Sequence, residues 1–149
     1  MSSGYATRPI SEEQIDLAYV LIEASRTDVK RDDWRAYCNR IVKWRGATGL
    51  HDDVFVSTDR QGHIRGLFVT EVVQSLLFGR VLEIPLFVSA SAGDEDGIIE
   101  DLLQAATAKA EAAGCGDIRI WTLGGESWSR IAERWASSMR YSGVQISLA

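Results

Sequence analysis

The sequence predicts an α+β fold in three layers (an α/β three-layer arrangement). A mixed, mostly antiparallel central sheet of about six strands holds one parallel crossover pair and is flanked by about four helices. Three observations carry this. Apolar residues recur at helical spacing over residues 11–25 and 32–45, then switch to an extended pattern from Val54 to Val88. Beyond Val88 the chain alternates helix, strand, helix, strand, with glycines at the joins. A chain of 149 residues suits one domain, 1–149, and should bury roughly 68–70% of its unfolded surface, enough for a core without a disulfide or metal staple.

The elements follow in order. Tyr5 to Ile10 is extended, since Pro9 discourages helix at Arg8. Ser11 opens a helix that runs to about Ser25. Gln14 stands three residues on, as a capping box needs, and Glu12 and Glu13 suit the positive end of the dipole. A second helix starts near Asp32 or Asp33 and stops at Gly46. Its outer face carries Arg35, Arg40, Lys43 and Arg45, either a solvated face or a basic lip over an anionic partner.

Val54-Phe55-Val56 is a strand, and Asp59 to Gly62 a turn. Ile64 to Val73 is a second strand, interrupted by Gly66, and Ser75 to Gly79 a hairpin connection. Val81 to Val88 is almost wholly apolar, so it belongs in the sheet centre. Pro85 removes a ladder donor there and predicts a bulge. Ser89 to Asp96 is an acidic loop. A helix from about Gly97 to Ala113 ends at Gly114, and Asp117 to Leu123 is a strand parallel to Val81–Val88. Gly124-Gly125 precedes a last helix, Ser127 to about Met139, and Tyr141 to Leu148 closes the sheet.

Composition removes several functions. A net charge of −5 opposes polyphosphate, so no nucleic-acid partner is expected. Cys38 and Cys115 form no C-x-x-C pattern and read as reduced thiols of a cytoplasmic protein. His51 and His63 are the only imidazoles and form no zinc motif, so no metal is expected. The first residues lack a basic start and an apolar run, and no stretch spans a membrane, so neither a secretory leader nor a membrane partner is expected.

The element order resembles the GNAT superfamily of N-acetyltransferases along essentially the whole chain. Tyr5-Ala6-Thr7-Arg8-Pro9 looks like the opening strand ending in Arg-Pro. Val88, the acidic loop, Gly97, Ile98, Leu102 and Leu103 look like the V-x-P…R-x-x-G-x-G…L-L motif, and Ser129-Arg130-Ile131-Ala132 with Trp135 resembles the closing N-x-x-A-x-x-Y motif. The resemblance implies acetyl-CoA as acyl donor, lying between splayed strands near Val88 and Trp121. It implies a pantetheine arm along Leu86, Phe87 and Val88. It implies a pyrophosphate on backbone N–H groups of Gly93, Glu95, Gly97 and Ile98, with Ser129 and Trp135 at the closing motif. Anion binding at a helix N-terminus is the physical basis.

Glu83-Ile84 matches a Glu-Ile pair that deprotonates the amine in histone-type members. Glu83 is therefore the candidate base; as a sheet-face carboxylate it would instead be satisfied by Arg80, Arg65 or a tyrosine. Glu71 and Asp53 are weaker alternatives. Trp135 stands where the family has Tyr and cannot act as an acid. Tyr141, six residues on, is the candidate phenol. Ser129 stands where the family has Asn, and Met139-Arg140 where Gly-Phe is usual.

The phosphate motif also departs. Asp94 takes the place of Arg or Gln and Ile99 that of a small residue, whose Cβ is expected to crowd the phosphate. Asp94, Glu95, Asp96, Glu100 and Asp101 are five acids in eight residues; outside them stand 16 acids and 16 bases, so the net charge is local. Arg119 or Lys109 is expected to offset it. The helix dipole alone favours acids there, in which case they occupy the anion site themselves.

Two functions stay open: an N-acyltransferase for a small-molecule or peptide amine, or a non-catalytic binding or regulatory module on the same fold. Exposed aromatic surface near Trp121, Trp128 and Trp135 would serve a partner or a homodimer.

Overall fold

Alternating burial builds the sheet, and the helices cover both of its faces. The computed structural model describes residues 4–25, 27–47, 52–90, 94–121 and 146–148. Strand β1 (Tyr5–Pro9) leads through a short 3-10 turn (Glu12–Gln14) into helix α1 (Ile15–Ala24), and α2 (Arg31–Trp44) follows. Strands β2 (Asp53–Asp59), β3 (Ile64–Ser75) and β4 (Gly79–Ser89) come next, then α3 (Glu95–Ala112) and β5 (Asp117–Ile120). The strands lie in sequence order, β1-β2-β3-β4-β5. All neighbours are antiparallel except β4 and β5, the parallel pair joined by α3.

Local chemistry sets the punctuation. The Ser11 N–H donates to Gln14 Oε1 at 3.0 Å, the return half of the capping box. Gly46, Gly62, Gly79 and Gly114 all take positive φ where α2, two hairpins and α3 end.

One sheet face packs Leu67, Val69 and Val88 against Ile15, Ala18, Ile22, Trp34, Cys38 and Ile41 of α1 and α2. The other packs Phe68, Leu82, Ile84 and Phe87 against Ile98, Ile99, Leu102 and Ala106 of α3. Each fully buried large aliphatic contributes about 1.5–3 kcal/mol by leaving water. Trp34 also donates its indole Nε1–H to the Ile15 carbonyl at 2.8 Å, tying α2 to α1.

β3 runs on through Gly66, but its ladder with β2 shifts register beside that residue, between Gly66 and Ile64. Gly66 pairs with Ser57 and Ser89 inside the ladder. Its missing side chain admits α3 instead: a Cβ would lie 2.8 Å from Leu102 Cδ1 and 2.9 Å from Ile98 Cγ2.

Five strands and three helices are found among the described residues, against about six and about four expected. The expected helix Ser127–Met139 lies outside them, as does the expected strand from Tyr141 up to residue 145. Ile146 and Leu148, expected to end that strand, are exposed and in no strand. No helix among the described residues is long and apolar enough to cross a membrane.

Candidate functional site

The bulge predicted at Pro85 organises the site. Val69 pairs with Leu86 and Glu71 with Glu83, so Ile84 and Pro85 together face the single residue Thr70. The extra residue reverses the alternation of β4. Leu82 and Ile84 point to the α3 face before it, and Phe87 does so after it. Pro85 itself is exposed and donates nothing to the ladder. The parallel pairing with β5 stops at the same point: its last pair is Ile84 with Ile120, closed by the Trp121 N–H donating to the Ile84 carbonyl at 3.0 Å. Leu86 to Ser89 continue beside β3, and no described strand pairs with their other edge. Among the described residues the two strands therefore form a fork.

At the root of the fork two carboxylates stand side by side. Glu71 and Glu83 are register partners, and like charges placed so are unfavourable. Both lie on the α1/α2 face, opposite in phase to Phe68, Leu82 and Ile84. Glu83 is held from β5. Its Oε1 accepts from Trp121 Nε1 at 2.7 Å, and its Oε2 from Arg119 Nη1 at 3.4 Å. Arg119 is the register partner of Glu83 and Trp121 lies two residues on, so both project to its side. Glu71 has no hydrogen-bond or ion-pair partner among the described residues. Burial, then the Asp52 and Glu83 charges, pushes its carboxyl above the ordinary value. Within electrostatic reach of it is Tyr37 of α2, whose hydroxyl oxygen is buried without a hydrogen-bond partner among the described residues. Burial, reinforced by Asp52 and Glu71, pushes this phenol up to about 12.

At the start of α3, the Asp94 carboxylate is the N-cap. Its Oδ1 accepts from the Gly97 N–H at 3.1 Å, while the Ile98 N–H donates to the Asp94 carbonyl at 3.1 Å. Tyr5 donates its hydroxyl to Asp94 Oδ2 at 3.4 Å, and Ser89 Oγ to Glu95 Oε1 at 3.4 Å. Thr7 Oγ1 donates to Asp101. The acidic stretch is thus tied to β1, β4 and its own helix.

No protein-family model and no curated protein matches the sequence. Solved structures do resemble the chain. The aminoglycoside N-acetyltransferase AAC(6')-Iy in complex with CoA superposes with a TM-score of 0.75 at 12% identity, over 100% of this chain and 97% of its own. A GNAT family acetyltransferase of Staphylococcus aureus gives 0.71 at 15%, over 97% and 99%. This chain has the GNAT fold. Another likeness of that fold, a transcriptional regulator from Bacillus halodurans, gives 0.72 at 15% identity, over 97% and 99%. Identities this low establish the architecture and leave the chemistry to the site.

On the GNAT fold, the expected residues fall into two groups. Leu86, Phe87 and Val88 line the prong of the fork beyond the bulge, with Glu83 at its root. Glu95, Gly97 and Ile98 form the first turn of α3. Gly93, Ser129, Trp135 and Tyr141 lie outside the described residues, as do His51 and Trp128. The strand edge at Leu86 to Val88, unpaired among the described residues, fits an extended pantetheine arm. The helix start fits a pyrophosphate less well, because Asp94 already takes the Gly97 N–H.

Several expectations are corrected. Ile99 is 1% exposed and packs in the core under α3, so its Cβ faces the sheet and crowds nothing at the helix start. Arg119 neutralises Glu83, and the Lys109 ammonium lies 6.0 Å from the Phe55 ring, so neither is seen offsetting the acidic stretch. Arg80 and Arg65, expected beside Glu83, bond the Ala113 carbonyl and Asp59. Asp53 is buried and paired with Arg45 at 2.8 Å, which takes it out of the candidate bases. Of the cations expected on the outer face of α2, Arg35 pairs with Asp16 and Arg45 with Asp53, while the exposed Arg40 and Lys43 lie over Tyr37 and Trp44. Sequence reasoning missed Arg119 and Trp121 as donors to Glu83. The parallel register was their signal, because it sets Arg119 opposite Glu83 once β5 is placed beside β4.

Proposed function

We propose that this chain is a single-domain N-acyltransferase that moves an acyl group, acetyl in the simplest case, from acyl-CoA to an amine. The observation that carries the reading is the fork at Pro85 with the Glu71–Glu83 pair at its root. An extended thioester arm along Leu86 to Val88 would end beside two carboxylates that attract an ammonium. Such a transfer needs an oriented thioester and a deprotonated amine more than covalent help. The CoA complex of a protein with the same fold supports the donor. Glu83 remains in the proposed site as one of the two acids that receive the amine. The acceptor is a small-molecule or peptide amine.

Calorimetric titration with acetyl-CoA, paired with thiol-release assays over a panel of primary amines, tests the reading. Binding and turnover are expected; no binding at millimolar acetyl-CoA refutes it. The second reading, a non-catalytic module, draws support from one contact, the Asp94 carboxylate on the Gly97 N–H. It predicts no acetyl-CoA binding and no thiol release.

A further inference from the structure

The two carboxylates at the root of the fork are not equivalent. Glu83 accepts from Trp121 and Arg119, and these donors fix its orientation and its charge. Glu71, its cross-strand partner, is half-buried and has no such donor among the described residues. The groups facing it are the Tyr37 phenol and, beside that, Arg40 from α2, Asp52 ahead of β2, and Glu83 itself. One carboxylate of the pair is tied by two donors and the other is left without one, so the two can take different parts in proton transfer.

We propose that Glu71 accepts the proton that the attacking amine gives up, while Arg119 and Trp121 keep Glu83 beside it as a fixed anion. This rests on the acyl-transfer reading. The acceptor arrives as an ammonium, and Glu71 takes one proton from it. The freed nitrogen lone pair forms the C–N bond at the thioester carbon. The C–S bond breaks with its electrons on sulfur, and a second N–H proton passes to that sulfur. Glu71 then returns its proton to water, so the products are an amide, a thiol and one proton. Glu83, held by Arg119 and Trp121, attracts the ammonium electrostatically. Arg119 and Trp121 are positioning residues: they act through Glu83. Burial, then its anionic neighbours Asp52 and Glu83, hold the Glu71 carboxyl above the ordinary value and give it a proton affinity that an ordinary surface carboxylate lacks.

The test uses the full chain with acetyl-CoA and three amine probes, spermidine, glucosamine and a lysine peptide. Glu71→Gln is expected to lower kcat by about a hundredfold or more while acetyl-CoA affinity stays within about twofold. Glu83→Gln is expected to retain more of kcat, raise KM for the amine and move the acid limb of the rate profile to lower pH. Carboxyl 13C resonances of the protein without substrates give a readout free of activity: the Glu71 signal should titrate at the pH of that acid limb and move with it in Glu83→Gln. Wild-type kcat in Glu71→Gln overturns the inference alone. A Glu71 signal that does not follow the acid limb also overturns it. A wild type that releases no thiol with any probe overturns the acyl-transfer reading and this inference with it.

Discussion

Replacing Asp94 tests whether the start of α3 is a phosphate seat closed by its own cap. A phosphate oxygen taking the Gly97 N–H must displace a carboxylate oxygen now 3.1 Å from that nitrogen. If the carboxylate stays within ~4 Å of the phosphate, each unit-charge repulsion costs about 1 kcal/mol in bulk water and about 4 kcal/mol near a protein surface. Asp94→Ser removes the charge and leaves an oxygen that still caps the helix, so stability should change by a few tenths of a kcal/mol, roughly. Its CoA affinity should rise by about fivefold at the least and by up to several hundredfold. Asp94→Arg should gain further, by replacing repulsion with attraction. The assay is calorimetry with CoA at low and high salt, the gain shrinking as salt screens the charge. A dissociation constant within twofold of wild type for both variants would refute the reasoning and leave the carboxylate as a helix cap only. Ile99 is left alone in this test, since truncating it would open the core under α3.

Three further outcomes are expected. Gly66→Ala forces a methyl against Leu102 and Ile98, so overpacking should cost about 1–3 kcal/mol and lower Tm by about 2–12 °C; an unchanged Tm would show that α3 can ride outward freely. Because the folded carboxyl of Glu71 is raised above its ordinary value, its stability contribution is present at acid pH and lost as pH climbs through the folded value. Glu71→Gln should therefore be more stable than wild type by urea unfolding at neutral pH, and the gap should close below the ordinary carboxyl value. Burial pushes the Cys38 thiol up to about 12, so at pH 8 an aromatic disulfide reagent should leave it unmodified in the native protein and react with it only after unfolding.

The sequence by itself determined the element types and most of their ends. Helical and strand periods, the Ser11–Gln14 box and the terminal glycines act within a few residues, so each could be read where it stands. Pro85 belongs with them: a missing N–H inside a central strand leaves a bulge as its solution wherever the strand lies. The splayed strands and the arm along Leu86 to Val88 are implied by the resemblance to the GNAT superfamily, not by Pro85 alone. Tertiary structure decided what stands around it. Whether Glu83 meets Arg80, Arg65 or Arg119 depends on which strand lies beside β4 and in which register, and those pairings join residues 36 positions apart. The same holds for Glu71, set against Glu83 by a bulge that shifts the ladder by one residue, and for Ile99, whose helical phase turns it to the sheet while Asp94 caps the end. Charge and spacing are local properties of a chain; the partner that neutralises a charge, or leaves it unneutralised, is chosen by packing.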